Sequence, residues 1–442
     1  MYKNSRDVRL RNTCSRQVRD AKADQLAGLQ ECIGWPGPID AKVGAIVSSG
    51  LELHKYLYPE YLAARFPIME INQFRWTLEG GWEVPPASSQ SASLVLAFSD
   101  AGFFRTPDCY NSLRGMFPEA HIVGCSSAGS ICGTHISDSD VVVTAVNLKK
   151  GQVKLVSAEA GSGEDLQALA ATLMEKLGAS DLRHAFVLSD GLSVNGSDLA
   201  RGLNSGGVSV TGGLAADGGR FTSTWVMADA PAAQNMVAII GFFGDLVAHC
   251  GCVAGWREFG AERLVTRSRG NVVFEIDHKP ALAIYTRYLG DMARDLPSSG
   301  LRFPLSIRPT EQDEPVIRTL LAVDAEAQSL TFAGDMPQGG FCRLMRTDVD
   351  SLIDGSGMAA EAARPEARGE RGLCLIVSCV GRRLVMGQLT EEELDIVQER
   401  LGPSHAITGF YSYGELAPFA NIEGCRLHNQ TMTLTTLSEH IW

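Results

Sequence analysis

The sequence predicts an α/β protein of repeated βαβ units, whose mixed sheets carry helices packed on them. Three observations support this. From Leu94 onward, apolar runs of strand length alternate with stretches of helical period. Three of these runs end in Ser plus a small or polar residue: Ser99-Asp100, Ser189-Asp190 and Ser378-Cys379. After a helix-like stretch, each is followed by a second run that reaches a glycine turn: Ile122-Val123-Gly124-Cys125, Val210-Thr211-Gly212-Gly213 and Ile407-Thr408-Gly409-Phe410.

The elements follow in order. Residues 1–20 are charged and patternless and read as an arm; 21–32 are helix-like; 51–66 are rich in Leu and Tyr; and 82–93 form a Pro/Ser-rich linker. Strands are expected at 94–100 and 121–129, the second ending in a small-residue turn, with a short helix at 109–116 between them. Residues 140–148 and 152–159 read as an antiparallel pair joined by Lys149-Lys150-Gly151. Leu166, Leu169, Leu173 and Leu177 mark an amphipathic helix. A strand–helix–strand pair follows at 184–191 and 208–219, then strands in TSTWVMA, VAIIGFFG and LVAHCGCVAGW. The polar stretch 358–372 leads to a last unit: the apolar run LCLIVSCVGRRLVMG over 373–387, a helix over 390–401, a strand and glycine turn at 406–418, and a Thr-rich strand over 429–437.

Composition bounds the function. The 442 residues suffice for two or three domains, and a net charge of −12 with no basic patch beyond the Arg-rich first twenty residues argues against nucleic acid. No apolar run reaches the length needed to cross a bilayer, and the N-terminal residues lack a secretory h-region. A cytoplasmic location with reduced cysteines is therefore expected.

Glycine turns at strand carboxyl ends expose backbone N–H groups, so three of them suggest one shared ligand pocket. Catalytic patterns are sparse: the sequence has no Walker loop, GxSxG elbow, HExxH or CxxC. Cys125 and Cys379 sit at strand ends, and Arg382 beside Cys379 could activate a thiolate or clamp an anion. Of His249-Cys250-Gly251-Cys252, one strand face offers two metal ligands, and His249 alone could serve as an axial haem ligand. Tyr411 and Tyr413 would share one side of an extended turn, and His428 and Asn429 could close the pocket.

From about Leu94 onward the chain resembles the FIST proteins. The resemblance is carried by Val123-Gly124-Cys125-Ser126-Ser127-Ala128-Gly129, Gly212-Gly213-Leu214-Ala215-Ala216-Asp217, and Gly255-Trp256-Arg257-Glu258-Phe259-Gly260. It continues through Ser378-Cys379-Val380-Gly381-Arg382-Arg383, Gly409-Phe410-Tyr411-Ser412-Tyr413-Gly414-Glu415 and Leu427-His428-Asn429-Gln430-Thr431. It implies an atypical segment over 1–90, a FIST N region over 91–275 and a FIST C region over 276–442. Ser130 stands where the family usually carries an acid, and residues 1–90 resemble neither a typical FIST start nor an F-box.

The implied function is non-enzymatic: an intracellular sensor that binds a small molecule, with amino acids proposed for the family. Its signalling partner would be a histidine kinase or a cyclic-di-GMP enzyme. One subgroup binds haem b and senses nitric oxide, and there His249 and His428 would be the axial candidates. The ligand-binding candidates are Cys125, Ser126, Ser127, Gly129, Gly212, Gly213, Trp256, Cys379, Arg382, Tyr411, Ser412, Tyr413, Glu415, His428 and Asn429. A thiol enzyme using Cys125 or Cys379, and a non-catalytic interaction scaffold, stay open as alternatives.

Overall fold

The computed structural model describes residues 69–77, 81–83, 91–365, 371–419 and 422–439. The arm, the helix-like stretch at 21–32 and the Tyr-rich stretch at 51–66 lie outside the described residues, as does most of the linker.

Three six-stranded sheets share one plan. At the heart of each is a parallel pair, the product of one predicted βαβ unit. In the first unit, β1 (Leu94–Ser99) pairs with β2 (His121–Ser126) across helix α1 (Asp108–Met116). In the second, β3 (Leu182–Ser189) pairs with β4 (Val210–Leu214) across α2 (Gly196–Leu203). In the third, β5 (Gly372–Cys379) pairs with β6 (His405–Ser412) across α3 (Val380–Met386) and α4 (Glu392–Leu401). Asp140–Asn147, Met236–Gly244 and Met432–Glu439 lie antiparallel to β1, β3 and β5 respectively.

Neighbouring units complete each sheet. Val226–Ala228 of the second unit pairs with β2, Gly414–Phe419 of the third with β4, and Ser130–Cys132 of the first with β6. On the far side, Gly151–Glu159 crosses into the second sheet and Leu246–Val253 into the third, while Glu70–Thr77 fills the matching place in the first. The exchange runs cyclically, so no unit is complete alone.

This corrects the predicted hairpin over 140–159, whose two strands belong to different sheets. The turn between them is set by the last described strand. The Glu439 carboxylate accepts the backbone N–H groups of Lys149, Lys150 and Gly151 at 2.6 to 3.1 Å. A three-residue break looks the same in sequence whether the chain folds back or crosses to another sheet.

The repeated glycine has one steric cause. A Cβ at Gly124, Gly212 or Gly409 would stand 2.0, 2.0 and 1.9 Å from the carbonyl oxygen of Ala97, Val187 and Ile376 respectively. Each second strand therefore packs against the first with no room for a side chain. Inside the ring of sheets, Leu96, Phe98, Val123, Phe186, Leu188, Leu375, Val377 and Phe410 form a single core to which all three units contribute. There Phe98 stacks on Phe410 at 5.0 Å.

Between the second and third units, strands from Arg257 to Arg346 form an eight-stranded antiparallel sheet with helix Ala281–Leu289 against it. Its core of Val265, Tyr285, Leu305, Phe332 and Leu344 is separate from the others. The expected region boundary at 275/276 falls inside this subdomain. The polar stretch from 358 begins as the end of helix Val349–Ala362, whose Ala359 and Ala360 are buried.

Candidate functional site

The predicted strand-end turns meet. Ala128 N–H donates to Tyr411 O at 2.9 Å, Ala216 N–H to Ser126 O at 2.9 Å, and Tyr413 N–H to Leu214 O at 3.1 Å. Counted from Gly124, Gly212 and Gly409, the donors occupy one repeat position and the acceptors another. The three bonds therefore close a ring through all three units, and the backbone groups freed at the strand ends satisfy one another.

Beside the ring lies a cavity of about 210 Å³ lined by Asp100, Ser127, Gly129, Asp138, Gly218, Arg220 and Arg383. The first unit supplies four of these residues, the second supplies Gly218 and Arg220, and the third supplies Arg383. Arg383 grips Asp138 through both terminal nitrogens, at 2.6 and 2.7 Å, and also donates to Ala128 O. Arg220 pairs with Asp100. Each bond to a carboxylate raises the pKa of its guanidinium further, so both arginines stay charged. The Arg383 guanidinium also lies 5.5 Å from the Tyr411 ring centre.

The loop that carries Gly218 and Arg220 is anchored at its root. Asp217 accepts backbone N–H groups from Phe221, Thr222 and Ser223, and the Tyr413 hydroxyl. Burial pushes the Asp217 carboxyl up, but the hydrogen bonds outweigh it and hold the group at about 2. Phe221 stacks on Tyr413 with ring centres 4.5 Å apart. Ser127 Oγ bonds Ser130 Oγ at 2.9 Å, so the residue replacing the family acid makes a neutral contact.

Larger clefts lie elsewhere. One of about 830 Å³ runs between helix Val349–Ala362 and α4, lined by Asp354, Met358, Glu361, Arg400 and His405 among others. It lies at the amino end of β6, away from the ring, so the smaller cavity is the better candidate despite its size.

Of the predicted site residues, Ser127 and Gly129 line the cavity. Ser126, Tyr411 and Tyr413 contribute backbone groups to the ring. The tyrosines do not form one aromatic wall: Tyr411 is fully buried with its hydroxyl on Glu393 at 2.6 Å, while Tyr413 supports the Phe221 loop.

Arg382 is not an anion clamp. It and Glu393 are both 0% exposed and paired at 2.8 Å, and its remaining donors go to Ala254 O, Leu352 O and Ser356 Oγ. Its neighbour Arg383 is the cavity residue. One helical step turns a side chain by about 100°, which here separates the core from the cavity.

Gly212 and Gly213 serve strand packing. Trp256 packs with Ile317, Met345, Leu352 and Met386 at the edge of the inserted subdomain. Cys125 lies in the central core and Cys379 is buried. Desolvation pushes both thiols well up, which disfavours their thiolate forms as placed.

Ser412, Glu415, His428 and Asn429 gather within the third unit, away from the cavity, and all are buried. Glu415 accepts from Ser412 Oγ at 2.6 Å and from Thr431 N and Oγ1. Burial, only partly offset by these bonds, raises its carboxyl to about 7. His428 Nε2 contacts Ala417 O at 3.1 Å, and desolvation lowers the ring to about 3. His428 is 2% exposed with its Nε2 turned to a backbone carbonyl, so as placed it faces no open site. His249 stands half-buried in mid-strand opposite Thr436. Neither histidine lines the cavities described here. Among the described residues no group of three or more His, Cys, Asp or Glu is placed to hold a metal ion.

Asp100, Asp138, Gly218, Arg220 and Arg383 are the cavity residues that the sequence reading does not select. Asp100 left a signal as the polar residue of the first repeat, and Arg383 as the last residue of the motif Ser378-Cys379-Val380-Gly381-Arg382-Arg383.

Residues 93–279 match the FIST N domain model and residues 281–418 the FIST C domain model. The chain belongs to the FIST family. FIST domains are in general sensory modules that bind small ligands. An uncharacterized protein of Methanocaldococcus jannaschii is 21% identical over 363 residues, covering 74% of this chain and 68% of that protein. Among solved structures, a chorismatase matches at TM-score 0.32 and 9% identity, over 84% of this chain and 99% of its own. A cyanuric acid hydrolase from A. caulinodans matches at TM-score 0.31 and 9% identity, over 85% and 100%. Likeness at that level bears on neither activity nor ligand. Among the described residues, no helix of this FIST protein is long and apolar enough to cross a membrane.

Proposed function

We propose that this FIST protein is a non-catalytic sensor whose small ligand binds in the cavity beside the three-unit ring. One observation carries the reading: the cavity is closed by two ion pairs, Arg383–Asp138 and Arg220–Asp100, and each joins a different unit to the first. With two cations and two anions, it suits a ligand that bears both charges, and free amino acids are the simplest of these. Such a ligand would exchange with both pairs, changing how the second and third units are tied to the first. That change is what a partner would read.

No nucleophile–base pair faces the cavity among the described residues, which supports binding over catalysis. The partner is expected among histidine kinases or cyclic-di-GMP enzymes on family resemblance, and a cytoplasmic location remains part of the proposal. Calorimetric titration with a panel of free L-amino acids tests the reading. At least one should bind the wild type, and about tenfold or more weaker to Arg383→Gln and to Arg220→Gln, each of which lacks a charged hydrogen bond. No binding across the panel, or equal affinity in all three proteins, would overturn it.

A further inference from the structure

The third unit contains a counterpart of the cavity, and it is shut. Superposing the repeats on Gly124 and Gly409 places Cys379 at the position of Asp100 and Ser412 at that of Ser127. Through the strand registers, it places Asn429 at that of Asp138. The Asp138 side chain is 66% exposed and ion-paired, whereas Asn429 is 1% exposed.

The inserted subdomain covers this place. Gln430 Nε2 donates to Leu301 O at 3.1 Å, within the turn Ser298–Arg302. From the other side, Gly381 approaches so closely that a Cβ there would stand 2.4 Å from Gln430 Nε2.

The seam is poorly satisfied. Asn429 Nδ2, Asn429 Oδ1 and Gln430 Oε1 are buried without a hydrogen-bond partner. On the facing subdomain, Ser299 Oγ and Thr319 Oγ1 are in the same state. Thr319 precedes Leu320, whose side chain packs on Gly300 of the same turn. Interfaces built to stay closed pair such atoms or replace them with apolar groups, because desolvating them unpaired is costly. Three unpaired polar atoms on Asn429 and Gln430, at the repeat position of an open cavity, mark a surface made for another occupant.

We propose that this seam is a second ligand site, closed in the conformation described, which opens to admit a small neutral molecule. The molecule would present an N–H donor beside a carbonyl acceptor, as carboxamides and cyclic ureides do. An amide side chain with donor and acceptor both unused pairs with such a group through two parallel hydrogen bonds, N–H to Oδ1 and C=O from Nδ2. An anion is disfavoured, because Arg382 spends its guanidinium on Glu393 and backbone carbonyls. The ligand shifts the seam only if it binds the opened form and is retained on reclosure.

Peptide-resolved hydrogen exchange on the full chain, with millimolar nicotinamide or hydantoin, tests this. Peptides covering 298–302 and 429–431 should exchange through local opening. One of the two probes should slow them about tenfold at ten times its dissociation constant, while peptides covering 127–138 and 217–223 stay unchanged. Asn429→Leu should lose the slowing without a lower melting temperature. Thr319→Val, nearly isosteric, should weaken it and also melt no lower. Absence of slowing with both probes, slowing that persists in Asn429→Leu, or a lower melting temperature in both variants would each overturn the proposal. Amino-acid effects at 127–138 and 217–223 report the first cavity separately, so either reading can fail without the other.

Discussion

The first and third units hold the same strand-end position in opposite states. In the first, Asp100 and Asp138 face a charged cavity and are held by arginines from other units. In the third, Cys379 and Asn429 occupy the same places in a buried, uncharged seam under an inserted subdomain. Threefold repetition thus supplies several strand-end positions, and what each can bind depends on the elements laid over it. The backbone ring is common to all, while the side chains and the cap differ.

The adjacent arginines sharpen the comparison most. Arg382→Met should cost about 3–5 kcal/mol, because it strands the Glu393 carboxylate in a site with 0% exposure. Denaturant unfolding would measure this.

Next is Glu415, whose counterpart in the first unit is Ser130. Its carboxyl is raised from an ordinary 4.5 to about 7, so the folded state keeps a proton that the unfolded chain releases between those values. The resulting stabilisation is complete below pH 4.5 and is lost as pH rises through 7, a swing of about 3 kcal/mol. Glu415→Gln should flatten that part of the stability–pH curve and leave the acid limb of His428 in place. Identical curves for the two proteins would show that Glu415 is not buried as described.

Substituting alanine at Gly124, Gly212 and Gly409 tests whether the repeats are equivalent. Each Cβ meets a carbonyl oxygen, so each change should cost about 1–3 kcal/mol by overpacking. Gly212 should cost most, because its φ of +145 adds backbone strain. A site that accepts alanine freely would break the equivalence there.

The smallest expected change in stability comes from Arg383→Gln. Its pair with the largely exposed Asp138 should contribute less than about 1 kcal/mol, yet ligand affinity should still collapse. Taken together, the two arginine variants would separate core from site within two consecutive residues.

Much of the plan was legible in sequence because its cause is local and repeats. The motifs around Gly124, Gly212 and Gly409 align because each second strand meets the same steric demand; their turns meet, but with backbone groups bonded to one another rather than left open to a ligand. What stayed hidden depends on crossings between units. Nothing local distinguishes the turn at 149–151 from a hairpin turn, because Glu439, almost at the end of the chain, shapes it. Arg382 and Arg383 look alike until Glu393 and Asp138 are placed around them. Asp138 lies in a polar stretch with no apparent role until an arginine from 245 residues away reaches it. The seam under the subdomain escapes for the same reason, since Gln430 meets Leu301 of the turn Ser298–Arg302, 129 residues away in sequence.

The most direct test is residue-resolved amide exchange at Ala128, Ala216 and Tyr413, the three donors of the ring. If the strand ends close on one another, all three should exchange only by unfolding of the whole assembly, with protection equal to within about tenfold. One of the three exchanging orders of magnitude faster than the others would mean that the ring is open, and the cavity built beside it would not be a shared site.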